Sequence, residues 1–222
     1  MHRALLLKEL REVAGIGAVG LALLLVFVSG SVGLRVFTWL PLVPHNDYSI
    51  PIPFVSSNFL EYFTFISVFL VIALGFRQSV WEDLRGTYVF LLHRPIRCGV
   101  VIALKLLAGI GVYLFCAGVP LLLYAWWAAT PRHHPSPFEW SMTDPAWRCW
   151  LTMPLLYMSA FLSGIRPARW LGTRLLPLVA TGAVVFPLQF LPWWWACGLG
   201  LLLVLYLAML IVIFFVVRTR DF

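Results

Sequence analysis

The side chains able to do chemistry in this sequence are few and scattered. Glu61 is an acid at the start of a long apolar run, His133 and His134 are adjacent, Ser163-Gly164 lies near the end of another apolar run, and the thiols are Cys98, Cys116, Cys149 and Cys197. A metal centre needs several ligands at fixed spacing. The four cysteines lack it, and two neighbouring loop histidines point apart with no acid or thiol cluster to complete a shell, so no metal site is expected. Nucleophilic catalysis needs a base beside the nucleophile, and no histidine lies at the depth of Ser163. The letters GIGAVG at Gly15 to Gly20 match the dinucleotide-binding fingerprint. That chemistry requires a strand before the glycines and a helix after them, whereas here they sit inside an apolar run, where small residues let a neighbouring helix approach. No G-x-x-x-x-G-K-[ST] loop is present. The chain is therefore expected to be no enzyme and to hold no cofactor of its own.

The elements around these residues are membrane elements. Of the 222 residues 62% are hydrophobic and 11% charged, with a mean hydropathy of +0.92, against roughly 25% charged residues in an ordinary soluble domain. A bilayer core about 30 Å thick takes roughly 20 apolar residues per helical span. Val13 to Leu34, Leu106 to Pro131 and Leu175 to Val217 carry no Asp, Glu, Lys or Arg. The last is long enough for two spans and is broken by Pro192 and three tryptophans. With the shorter runs Tyr62 to Phe76 and Cys149 to Ile165, the expectation is an all-α integral membrane protein forming one domain over 1–222, with six spans near 14–33, 59–76, 104–128, 148–165, 175–191 and 196–217. Pro177 and Pro187 should kink the fifth, and Tyr124, Trp126 and Trp127 suit an aromatic belt at the outer surface.

Orientation follows from the basic residues, because short loops rich in Lys and Arg stay cytoplasmic. With the N-terminus inside, 13 of them face the cytoplasm and three (Arg35, Arg132, Arg148) face outward, together the 16 of the sequence. Both termini are thus expected in the cytoplasm of a multi-pass protein of the cell membrane, plasma or inner. The net charge of +7 is a topology signal and not a nucleic-acid footprint. Glu9 and Glu12 and the full span length argue against a cleaved signal. In this topology Cys149 and Cys197 both lie near the outer surface, as a disulfide or as two packed thiols.

Residues 3–12, RALLLKELRE, place Leu6, Leu10 and Val13 at helical spacing with Lys8, Glu9, Arg11 and Glu12 crowding the other side. This predicts an interfacial helix before the first span. The most charged stretch, VWEDLRGTYVFLLHRPIR from Val80 to Arg97, falls in the inner loop 77–98. Val80, Trp81, Leu84, Tyr88 and Leu91 form a helical stripe, Glu82, Asp83 and Arg85 lie off it, and Pro95 should stop the helix. An amphipathic helix parallel to the membrane is expected, with aromatic residues able to anchor it on lipid or in a partner's groove.

Glu82, Gly86-Thr87, Leu91-Leu92, Pro95-Ile96 and then Lys105 resemble the first cytoplasmic loop of ABC-2-type permeases, the membrane subunits of ATP-binding-cassette exporters. LLLKELRE before the first span and six spans with both ends inside are similar to the same family. The motif covers about thirty residues; Val89 stands where the family commonly has an acid, and Cys98 where it commonly has a basic residue. The resemblance implies a transmembrane permease coupled to a separate ABC ATPase subunit, which would carry the ATP and Mg. It implies a second permease copy or a related chain across the pathway. It also makes the 77–98 segment a coupling helix, with Trp81, Leu84 and Tyr88 as anchors, Glu82 and Arg85 as polar contacts, and Gly86, Thr87 and Pro95 as motif positions. Glu61, on the second span, becomes the candidate pathway residue, the alternative being an acid at the span's edge that snorkels to water. The alternatives are a non-transporting membrane scaffold that recruits a partner through the same loop, and an intramembrane enzyme.

Overall fold

The computed structural model describes residues 2–32, 52–55, 58–84, 98–130, 138–166 and 173–219. Six α-helices lie in these residues: α1 (His2–Ser31), α2 (Phe59–Leu84), α3 (Cys98–Ala129), α4 (Asp144–Ile165), α5 (Leu176–Leu188) and α6 (Leu199–Thr219). The described residues contain no strand. A 3₁₀ turn, Trp140–Thr143, leads into α4, and a π turn, Trp194–Gly198, leads into α6. Four helical runs, Arg3–Ser31, Phe59–Trp81, Gly99–Ala129 and Trp194–Thr219, are long and apolar enough to cross a membrane.

Contacts between helices give their directions. Gly17 of α1 meets Val112 and Cys116 of α3, while Glu9 meets Lys105, so α1 and α3 run parallel. Gly20 meets Leu70, so α2 runs against α1. Gly99 at the start of α3 meets Phe214 of α6, so the start of α1 and the last turns of α6 lie at one end of the bundle, here the termini end, and the other is the far end. Arg3, Lys8, Arg11, Arg77, Lys105, Arg166, Arg174 and Arg218 sit toward the termini end and Arg148 toward the far end.

Burial along α1 follows Leu5, Glu9, Val13, Gly17, Gly20, Leu24 and Val28, at steps of three and four. Two expectations are corrected here. Residues 3–12 are no separate interfacial helix, since α1 is continuous from His2 through Ser31. Its buried face also carries Glu9 and not Leu6 and Leu10, because Glu9 has a buried cation to meet on α3. At about 1.5 Å per residue α1 is about 45 Å long, more than the apolar core needs, and its first turns project beyond that core.

α4 is the central helix. Every residue from Thr152 to Ile165 is buried, and its interface with α2 is the most extensive in the fold. Small residues allow this closeness. A Cβ on Gly75 would come within 2.8 Å of the Ala160 Cβ and of the Tyr157 carbonyl, and one on Gly164 would collide with Ser79. α4 is screened from lipid by its neighbours and tolerates Thr152, Ser159 and Ser163, whose hydroxyls stay in the core. α6, the most apolar candidate span, is the least buried of the four.

The fifth predicted span is shorter than expected. α5 has 13 residues, about 20 Å of helix. Pro177 starts this helix instead of kinking it, since proline is preorganised for a first turn and needs no amide partner there, and Pro187 falls in its last turn. At the far end the Arg148 guanidinium donates to the carbonyls of Gln189 (3.4 Å) and Leu191 (3.2 Å), and the Trp195 indole donates to Asp144 at 3.0 Å, which ties the α5–α6 turn to α4. Tyr124 is buried under Phe54 and Phe59, with ring centroids 4.7 Å and 4.4 Å away. Trp126, by contrast, is 72% exposed. The belt position suits Trp126, and Tyr124 belongs to the core.

Candidate functional site

The strongest concentration of buried polar groups lies toward the termini end, where α1, α2, α3 and α4 meet. Lys105 Nζ donates to Glu9 Oε2 at 2.8 Å, with both side chains fully buried. Lys8 approaches the other Glu9 oxygen at 3.8 Å. Beside the pair, the Gln78 amide donates to the Lys105 carbonyl at 3.3 Å. The Tyr157 hydroxyl donates to Gln78 Oε1 and lies 3.3 Å from the same carbonyl. Each of the four helices thus contributes one side chain.

Gly109 makes the arrangement feasible. A Cβ there would run into the Tyr157 hydroxyl and the Gln78 amide oxygen, so only glycine leaves the Lys105 carbonyl, one turn earlier, open to both. The charges need this company, because an ion in a low-dielectric interior is costly unless paired and hydrogen-bonded.

Further along, the buried Arg174 caps α4. Its Nε donates to the Ser163 carbonyl at 3.0 Å and its Nη2 to the Gly164 carbonyl at 2.6 Å. These belong to the last turn of α4, whose carbonyls lack helical partners and whose dipole favours a cation. Ser79 donates to the Gly75 carbonyl at 2.7 Å and packs against Gly164. The α2–α4 contact, the cap and the ion pair are continuous with one another toward the termini end.

Of the predicted coupling residues, Trp81, Glu82 and Leu84 are among the described ones. α2 does not end at Phe76. It continues as one helix through Arg77 and Trp81 to Leu84, so the first part of the 77–98 segment extends the second span. Trp81 is 42% exposed, with the Arg77 guanidinium 4.4 Å from its ring centre. Glu82 and Leu84 lie in the last turn of α2. Arg85, Gly86, Thr87, Tyr88 and Pro95 lie outside the described residues, as do His133 and His134. Lys105, the last residue of the motif, lies inside the polar network.

Glu61 is in the first turn of α2, exposed, where an acid complements the helix dipole. It begins an exposed stripe, Glu61, Phe65, Phe69, Ala73 and, further down, Trp81. From Glu61 to Trp81 the helix rises about 30 Å, so these two residues occupy opposite ends of α2. Cys116, Cys149 and Cys197 are free thiols; Cys149 is buried beside the Thr64 hydroxyl (3.4 Å) and Cys197 is exposed.

Sequence reading missed Glu9, Gln78, Tyr157 and Arg174. For Glu9 a signal existed. Leu5, Glu9 and Val13 share a helix face with Gly17 and Leu24, a carboxylate in the middle of an otherwise apolar stripe. Comparison with protein-family models, with curated proteins and with solved structures finds no match for this chain.

Proposed function

We propose that the chain is the permease subunit of an ABC exporter, passing the work of ATP hydrolysis on a separate subunit into movement of membrane helices. Both termini would be cytoplasmic, six segments would traverse or enter the cell membrane, and a second copy or a related chain would complete the pathway. One observation carries the reading furthest. The segment resembling the coupling loop joins the end of α2 to the start of α3, and Gln78, near its start, and Lys105, the last residue of the motif, are locked into the same buried network with Glu9 and Tyr157. A push on that segment by a docked ATPase would reach four helices as a unit. Rigid packing there transmits displacement and does not absorb it.

Further support comes from the crowding of cations at the termini end, as expected for the cytoplasmic side, and from Trp81, exposed and held by Arg77 at the entry to the segment.

The test is purification of the tagged full chain in mild detergent with identification of co-purifying proteins by mass spectrometry. A soluble subunit bearing a phosphate-binding loop is expected, with transport in the reconstituted complex uncoupled from hydrolysis by Trp81→Ala at little cost to folding. A chain that comes without any nucleotide-binding protein, or coupling unchanged by Trp81→Ala, would overturn the reading.

A further inference from the structure

The crevice between α1 and α2 has two parts, one above the other. The upper part is a groove of about 460 Å³ whose walls are almost wholly apolar and include Gly15, Val19, Leu23, Phe65 and Phe69. Gly15 borders open space, since a Cβ there would meet nothing within 4 Å, whereas at Gly20 the helices touch, with Leu70 only 2.7 Å from such a Cβ. The lower part begins one turn nearer the termini end on both helices, at Arg11 below Gly15 and at Arg77 below Ala73. It is a hollow of about 570 Å³ lined by Lys8, Arg11, Glu12 and Arg77.

Charge and depth both select the occupant. Three cations face one carboxylate in the hollow, a net of two positive charges, and Glu12 is engaged by Lys8 at 3.5 Å. Neither Arg11 nor Arg77 is in an ion pair among the described residues. From Phe65 to Arg77 α2 rises about 18 Å, close to the roughly 15 Å of one leaflet's hydrocarbon, half of the core. With the cations at headgroup level, the groove spans the acyl region of the leaflet at the termini end. A second copy of the chain seated here about a two-fold axis would bring the same arginines against their own mates, and like charges would oppose it.

We infer that the α1–α2 crevice binds an anionic glycerophospholipid, its phosphate between Arg11 and Arg77 and one acyl chain in the groove past Gly15 toward Phe65. Basic pockets between helices at the cytoplasmic side suit such headgroups, and a groove beside a glycine admits a methylene chain without displacing protein atoms. This assignment does not depend on the permease reading and would hold for a chain that never met an ATPase.

The full chain in mild detergent, titrated with phosphatidylglycerol or with phosphatidylcholine of the same acyl chains and read by native mass spectrometry, tests it. Phosphatidylglycerol should bind roughly twentyfold more tightly, and Arg11→Ala and Arg77→Ala should each weaken it about fivefold with phosphatidylcholine unaffected. Gly15→Phe, whose Cβ has nothing within 4 Å and whose ring would occupy the groove, should abolish retention of both lipids while leaving the thermal midpoint in place. Equal binding of the two lipids, arginine variants without effect, or undiminished lipid retention by Gly15→Phe would overturn the assignment. So would Gly15→Phe dissociating an oligomer, which would make the groove a seat for another copy.

Discussion

Glu9 and Lys105 stand 96 positions apart in the sequence and 2.8 Å apart in the fold, both fully buried. The pair joins the first helix to the start of the third at the level where Gln78 and Tyr157 join the second to the fourth. Through these bonds the first four helices are cross-linked at the termini end of the bundle.

Removing one partner should be far worse than removing both. Lys105→Met leaves the Glu9 carboxylate without its main cation and should cost about 3 kcal/mol, Lys8 giving partial relief from 3.8 Å. Glu9→Leu combined with Lys105→Met replaces ions by apolar volume and should return to within about 1 kcal/mol of the parent. Thermal unfolding of the three proteins in one detergent checks this; a double variant as weak as the single one would show that the pair is not the unit.

Two glycines two positions apart along α3, Gly109 and Gly111, should respond with opposite signs. Gly109→Ala drives a methyl into the Tyr157 hydroxyl and the Gln78 amide and should destabilise by about 1–3 kcal/mol. Gly111→Ala meets nothing within 4 Å and should be neutral or stabilising by about 0.5–1 kcal/mol, because alanine loses less backbone entropy in a helix. Equal unfolding midpoints for the two variants would contradict the placement of Tyr157.

Arg174→Ala should loosen the end of α4 specifically. It removes two charge-assisted hydrogen bonds to the carbonyls of Ser163 and Gly164, about 1.5–3 kcal/mol in all. Hydrogen exchange should quicken in the last turn of α4 while its first turns stay protected. Arg174→Lys should not restore protection, since an ammonium lacks the planar fork that reaches both carbonyls.

Glu61→Gln separates two roles for an exposed acid at the head of α2. On the proposed permease reading, a Glu61 that meets cargo or a facing chain should make Glu61→Gln change transport by the reconstituted complex with stability held. Transport at the parental rate would leave Glu61 as a residue that favours the helix dipole and reaches water.

Composition and the spacing of apolar runs pointed to helical membrane spans, and they placed the apolar cores of α1, α2, α3 and α6 within a few residues of the long apolar helices among the described residues. That much is local physics, for a helix in lipid must satisfy its own backbone and present apolar side chains over a set length. The ends were harder. The charges of residues 3–12 and 77–84 read as breaks, yet α1 and α2 run straight through them, since helical hydrogen bonding continues wherever side chains reach water or a partner. α4, which is not among the four helices long and apolar enough to cross a membrane, proved to be the central one, surrounded by its neighbours.

Which face of α1 is buried could not be settled by counting leucines. Leu6 and Leu10 gave as good a stripe as Leu5 and Val13, and the choice turned on Lys105, 96 residues away, arriving opposite Glu9. The same holds for Gly109, whose need for a missing side chain exists only when Tyr157 and Gln78 converge on it. Periodicity along one helix reports how much of it is buried, while the pairing of one buried polar group with another depends on how the helices are arranged, which is a property of the packed bundle alone.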